Sequence, residues 1–299
     1  MLAGATEAVG NYPPAHIERS QQRDVNSRAG RAYRIFVSRP LVPPPPLGYP
    51  VIYVLDGNAT FGTITEAVAM QSARPSATQV APAIVVGIGY RTQLPLDLER
   101  RTFDYTPDVD RSRLAARPDG SPWPLTGGAN AFLDFIEHEL KPMIAGEFPI
   151  DAKRQVLFGH SFGGLFTLYA FFTRPGGFQS YIAGSPSIWF GERAILGAEE
   201  KFVAGSQDEL RNLRLMIAVG GLEQSLSPEE QEMPGGSPRA PWIEKNRMVD
   251  NAREMANRLQ ALRAPGLTVA YEEFAGENHV SVIPALISRA LRFAVAPAH

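Results

Sequence analysis

Six short apolar runs constrain this chain more than any other feature: "YPVIYVLDG" (49–57), "PAIVVGIGY" (82–90), "RQVLFGH" (154–160), "SYIAGS" (180–185), "LRLMIAVG" (213–220) and "LTVAYEEF" (267–274). A strand with one wet face alternates apolar and polar residues. Mostly unalternated runs therefore predict strands buried on both faces, as in a parallel sheet covered by helices. Helical patterns fall between them, over 61–72, 130–145, 165–172, 242–262 and 282–293. Strand and helix in alternation predict an open α/β sheet. Ahead of it, "RDVNSR" and "RAYRIFVSRP" alternate around Ala29-Gly30, which predicts an antiparallel hairpin.

No internal repeat and no long linker divides the 299 residues, so a single domain over 1–299 is expected. The proline run 43–46 sits between two strand patterns and reads as a stiff connecting loop. Two stretches break the alternation: 91–128, rich in Pro, Asp and Arg, and 221–241, rich in Pro, Gly, Glu and Ser. Loops of that length in a compact domain are usually lids, binding loops or mobile segments.

A net charge of −2 argues against a nucleic-acid partner, because neutralising phosphates takes a basic excess. No apolar run approaches the roughly 18 residues of a membrane-spanning helix. The absence of cysteine excludes disulfides, thiolate nucleophiles and cysteine metal sites. "MLAGATEAVGNYPP" has neither a basic start nor an apolar core of signal-peptide length. A chain that starts there is expected in the cytoplasm, and one whose export signal was removed is expected in the periplasm.

Active sites of open α/β sheets lie beyond the carboxyl ends of the strands. One such end carries "GHSFG" (159–163), a G-x-S-x-G pentapeptide. The five residues alone carry little weight, but a strand pattern precedes them and a helix pattern follows, as a nucleophile elbow requires. The turn would set Ser161 at a helix N-terminus, where free N–H groups and the helix dipole favour a developing oxyanion. A serine that merely caps the helix is the alternative.

A serine hydroxyl needs a base to take its proton. Of five histidines, His16 precedes the sheet, His138 lies in a helical run, His299 is the terminus, and the ring of His160 should point elsewhere in a sharp turn. His279 remains, past the last strand and before the last helix. The chain order Ser, acid, His places the acid after "LRLMIAVG", where Glu223 stands three residues beyond Gly220. Asp250, inside a helical pattern, is a weaker substitute. One oxyanion donor is expected from the N–H of Phe162, and a second from Gly57 or Asn58 in "YVLDGNATF".

With these residues placed, the chain resembles the esterase branch of the α/β-hydrolases that includes the enterobactin and salmochelin esterases. The resemblance is carried by "YPVIYVLDGNATF", "VVGIGY", "RRTFDYTP", "FGHSFGGLFTLYAFF", "AGSPSIWF", "VGGLEQ" and "GENHVSV". It implies the α/β-hydrolase fold: a mostly parallel twisted sheet with an N-terminal antiparallel hairpin and helices on both faces. It also implies hydrolysis of a catecholate trilactone siderophore, iron-loaded or iron-free, without metal or cofactor, with Ser161 as nucleophile and His279 as base. Some members look as though they work with a Ser-His pair, so whether Glu223 completes a triad stays open. Esterase or acyltransferase action on other acyl or feruloyl esters, and siderophore binding without catalysis, are the remaining readings.

A ferric tris-catecholate carries about three negative charges, and a chain of net charge −2 needs a local basic patch to hold it. Arg91, Arg100 and Arg101 follow the "VVGIGY" strand and are expected to bind substrate, since guanidinium groups both pair with anions and stack on rings. Trp189 in "SPSIWF" is either pocket wall or core.

Overall fold

The computed structural model describes residues 16–117, 119–205 and 212–296. The apolar runs form strands of one eight-stranded sheet, joined by the predicted hairpin: β1 (Ser20–Asn26), β2 (Ala32–Ser38), β3 (Tyr49–Leu55), β4 (Ile84–Gly89), β5 (Ile150–His160), β6 (Ser180–Gly184), β7 (Leu213–Gly220) and β8 (Leu267–Phe274). Their lateral order is β1-β2-β4-β3-β5-β6-β7-β8. The hairpin and its junction with β4 are antiparallel, and every pairing from β4 to β8 is parallel.

The strands have two buried faces because the sheet has helices on both. Along β3, Val51, Tyr53 and Leu55 enter one core with Leu165 and Phe166 of the Phe162–Thr173 helix. Ile52 and Val54 enter the other with Phe61 and Ile64 of the Gly57–Ser72 helix and Leu286 of the Val282–Ala294 helix. A period of two thus divides one apolar strand between two cores. β8 differs from expectation. It is an edge strand, and most of its residues are partly exposed.

The helices depart from the sequence reading in several places, among them an unexpected helix over Ile195–Ala204. The 130–145 pattern becomes helix over Ala129–Phe135 and Lys141–Glu147, with a wider turn over Ile136–Leu140 in which the Lys141 N–H donates to the Ile136 carbonyl. Pro142, which has no N–H, follows directly, and loss of a ladder bond favours such a turn. The 242–262 pattern is two helices, Ala240–Asn246 and Met248–Ala261, broken where Arg247 takes the left-handed conformation (φ 44°). The first long loop holds a short helix, Leu98–Tyr105, capped by Asp97, whose side chain accepts the Arg100 N–H at 3.0 Å. Among the described residues no helix is long and apolar enough to cross a membrane.

Candidate active site

β5 ends at His160, and the chain turns through Ser161 (φ 62°, ψ −119°) directly into the Phe162–Thr173 helix. Few non-glycine residues hold such a backbone, and where they do the strain accompanies function. Two glycines make the turn possible. A Cβ on Gly159 would lie 2.1 Å from the Gly163 carbonyl oxygen, and one on Gly164 would lie 2.5 Å from that of Gly184. Gly163, the last glycine of the pentapeptide, has room, with its nearest neighbour at 3.5 Å. The Ser161 N–H donates to the Gly184 carbonyl at 2.9 Å, which pins the elbow to the end of β6.

Three strand ends bring the expected polar residues together. His279 Nε2 is 3.0 Å from Ser161 Oγ, and His279 Nδ1 is 2.6 Å from Glu223 Oε2. The other carboxylate oxygen, Oε1, accepts from the Ser185 hydroxyl at 2.5 Å and from the Gly220 N–H at 2.7 Å. With its side chain 1% exposed and both carboxylate oxygens engaged, Glu223 is held as a buried partner of the imidazole. Asp250 is engaged elsewhere, with Gln224 at 2.6 Å and with Arg253 and Arg247 at 3.1 and 3.4 Å. The His160 ring packs on that of His279 with centroids 4.6 Å apart. Burial, then the nearby His279 and Arg101, push its pKa well below the usual histidine value, so it stays neutral. His299 lies outside the described residues.

Phe162 opens its helix, so its N–H has no acceptor within that helix. Gly57 and Asn58 open the helix that follows β3, and their N–H groups are free of intrahelical partners for the same reason. Neither residue lines the cavity described below. The Asn58 side chain instead ties two loops together: its amide donates to the carbonyls of Tyr90 and Thr92, and its Oδ1 accepts the Tyr90 N–H at 2.8 Å.

A cavity of about 850 Å³ opens above Ser161 and His279. All three tryptophans of the chain line it: Trp123, Trp189 and Trp242. Trp189 packs edge-on to Trp242 at 5.0 Å and lies 6.0 Å from Phe162 and 6.3 Å from Trp123. Trp189 is therefore cavity wall. Trp123 and Trp242 went unassigned in the sequence, although each lies in or beside a long interrupting loop.

The three expected arginines go different ways. Arg91 pairs with Asp24 on β1 at 3.0 Å, outside the cavity. Arg100 turns to the hairpin, where its guanidinium lies over Tyr33 and Tyr90 at 5.4 and 5.3 Å and donates to the Ala32 carbonyl. Successive residues of a helix face about 100° apart, so adjacent arginines cannot share one site. Arg101 does reach the lining, but it is buried and grips Asp56 through two bonds of 2.9 and 2.8 Å. Its charge is neutralised there. Two arginines missed in the sequence, Arg117 and Arg239, line the cavity from the two long loops, and each faces a nearby acid, Asp119 at 3.5 Å and Glu230 at 2.8 Å. No sequence signal separates them from other loop arginines.

The model of the family described as Putative esterase matches residues 27–292, most of the chain. This chain belongs to that family. Within the esterase family it is 45% identical over 294 residues to the ferri-bacillibactin esterase BesA of Bacillus subtilis, covering 98% of this chain and 94% of BesA. It is 35% identical to the siderophore triacetylfusarinine C esterase of Aspergillus fumigatus, covering 95% and 96%. The crystal structure of the BES protein from Bacillus cereus superposes with a TM-score of 0.83 at 39% identity, covering 97% of this chain and all of that one. The enterobactin and salmochelin hydrolase IroE superposes at 0.66 with 26% identity, covering 91% and 93%. The fold is that of the α/β-hydrolases.

Proposed function

We propose that this chain is a serine esterase that hydrolyses the ester bonds of a siderophore, with a catecholate trilactone, ferric or iron-free, as its substrate class. The observation that carries the reading is the hydrogen-bonded series Ser161, His279, Glu223 at the base of a cavity walled by the chain's three tryptophans. Kinship to esterases of ferri-bacillibactin and triacetylfusarinine C supports siderophore esters as the substrate. The tryptophan wall favours a ligand with aromatic rings, because indole and catechol faces pack in offset or edge-on pairs. Arg117 and Arg239 at the rim add cations that can lie against those rings.

In the course this implies, His279 Nε2 takes the Ser161 proton as Oγ bonds to the ester carbonyl carbon. The N–H of Phe162, which lines the cavity, receives the negative charge on the carbonyl oxygen. Collapse breaks the acyl C–O bond, and His279 returns its proton to the leaving alkoxide, which departs as an alcohol. Water, deprotonated by His279, then attacks the acyl-enzyme and releases a carboxylate and free Ser161. Glu223, held by Ser185 and Gly220, keeps Nδ1 protonated and Nε2 free to act as base.

Incubation with ferric and iron-free enterobactin, followed by mass spectrometry, should yield linear trimer and smaller fragments. Absence of any linear fragment refutes the substrate class. Ser161→Ala should abolish turnover of a simple aryl ester, and retained turnover refutes the nucleophile.

A further inference from the structure

Behind the tryptophan wall lies a second cavity of about 400 Å³, which shares Trp123, Trp189 and Asn246 with the first. Its character is different. The large cavity holds its arginines against acids, whereas the small one is lined by four cations, Arg113, Arg193, Lys245 and Arg247, and a single acid, Glu192. Glu192 lies 3.6 Å from Arg113, and Arg247 is taken by Asp250 and Glu254. Arg193 and Lys245 have no ion pair among the described residues. The unspent positive charge near the site thus sits in the small cavity.

The backbone that presents Arg193 is unusual. Gly191, Glu192 and Arg193 follow one another in the left-handed region, with φ of 56°, 52° and 62°. L-residues avoid successive left-handed positions because Cβ crowds the carbonyl oxygen. Glycine is required at its start, since a Cβ on Gly191 would meet the Val109 side chain at 2.9 Å. This costly conformation carries the Arg193 side chain onto the cavity lining.

We propose that this second cavity binds the carboxylate of the linear ester released by the first cut. The inference rests on the trilactone reading above. Hydrolytic opening of a cyclic triester breaks one acyl C–O bond, adds water, and leaves a linear acid with one hydroxyl, one carboxylate and two intact esters. The cyclic substrate has no such carboxylate. A guanidinium and an ammonium with no ion pair among the described residues, one tryptophan wall away from Ser161, match that new group in charge and hydrogen bonding. Holding it there keeps the remaining esters beside the large cavity for a second cut. The unpaired cations are therefore a device for sequential cleavage rather than for capture of the ring.

The test compares wild-type protein with an Arg193→Gln/Lys245→Gln double variant on three iron-free substrates: the cyclic trilactone, the linear trimer acid, and the carboxyl methyl ester of that trimer. Both side chains are exposed, and neither is assigned to the ester-cleaving machinery. The double variant should raise KM for the linear acid about tenfold, the scale of one to two lost charge-assisted bonds, with kcat held. Its KM for the cyclic substrate and for the methyl ester should stay within twofold of wild type. The charge-reversed Arg193→Glu/Lys245→Glu variant should widen the selective loss. Equal KM values for the linear acid in both proteins would overturn the inference, as would a parallel loss on all three substrates. If wild-type protein cleaves none of the three, the trilactone reading itself fails, a result separate from the others.

Discussion

Replacing Glu223 by glutamine tests whether the site works as a triad, because it changes no shape and removes only the charge and one acceptor. The Gly220 N–H fixes the outcome. A backbone N–H cannot become an acceptor, so the glutamine carbonyl oxygen must take the place of Oε1, 2.7 Å from that nitrogen. The amide NH₂ is then forced against His279 Nδ1, where Oε2 stood at 2.6 Å. Two donors cannot face one another, so Nδ1 must lose its proton and Nε2 must carry it, pointing it at Ser161 Oγ 3.0 Å away. That tautomer cannot accept the serine proton. The same error in serine proteases costs about 10⁴ in kcat, so Glu223→Gln should lower kcat by about 10³ to 10⁴, or ~4–5.5 kcal/mol of barrier. Glu223→Ala, which imposes no tautomer, should lose less than Glu223→Gln and less than His279→Ala. Hydrolysis of p-nitrophenyl butyrate reads the rates, and a thermal melt confirms that each variant is folded. A folded Glu223→Gln protein within tenfold of wild type would refute the tautomer argument and leave Ser161 and His279 acting as a pair.

The glycines of the elbow should separate in the opposite sense to their motif positions. Gly163→Ala should be folded and active, while Gly159→Ala and Gly164→Ala should not accumulate as soluble active protein; comparable soluble activity for all three contradicts the close approaches at 2.1 and 2.5 Å. Arg101→Met strands the buried Asp56 carboxylate and should cost roughly 3–5 kcal/mol in urea unfolding, with much of it recovered on adding Asp56→Asn. Burial pushes the Asp104 carboxyl up to about 6, above its unfolded value, so its contribution to stability is full at low pH and is lost as pH rises through 6. Asp104→Asn should therefore gain roughly 1–3 kcal/mol over wild type at pH 8 and nothing at pH 4. A difference that does not change with pH would contradict that assignment.

The strands and the Ser161, Glu223 and His279 positions were legible in the sequence because each follows from local pattern plus chain order. Burial on both faces shows in β3 as an unbroken apolar run, and the chemistry must lie just past such runs. What was not legible depends on side-chain direction and on contacts distant in sequence. Arg100 and Arg101 are neighbours in the chain, yet one faces the hairpin and the other Asp56, which a turn-like "LDG" gave no reason to pair with it. Trp242 reads as the start of one long helix. Only the left-handed Arg247 breaks that helix and leaves its first part, with Trp242, along the cavity. Chain order points to Glu223, but not to Ser185 and Gly220, from the ends of two adjacent strands, which enclose its carboxylate.

Because the chain has three tryptophans and all of them wall one cavity, its indole fluorescence is a signal from that cavity and, through Trp123 and Trp189, from the smaller one behind it. Emission excited near 295 nm should respond to whatever enters, with no background from the rest of the molecule. An iron-catecholate complex absorbs visible light broadly, so its arrival should quench all three indoles together, whereas an iron-free ligand should mainly shift their emission by displacing water. The protein thereby carries an internal optical titration of its own occupancy, usable without label or substrate turnover.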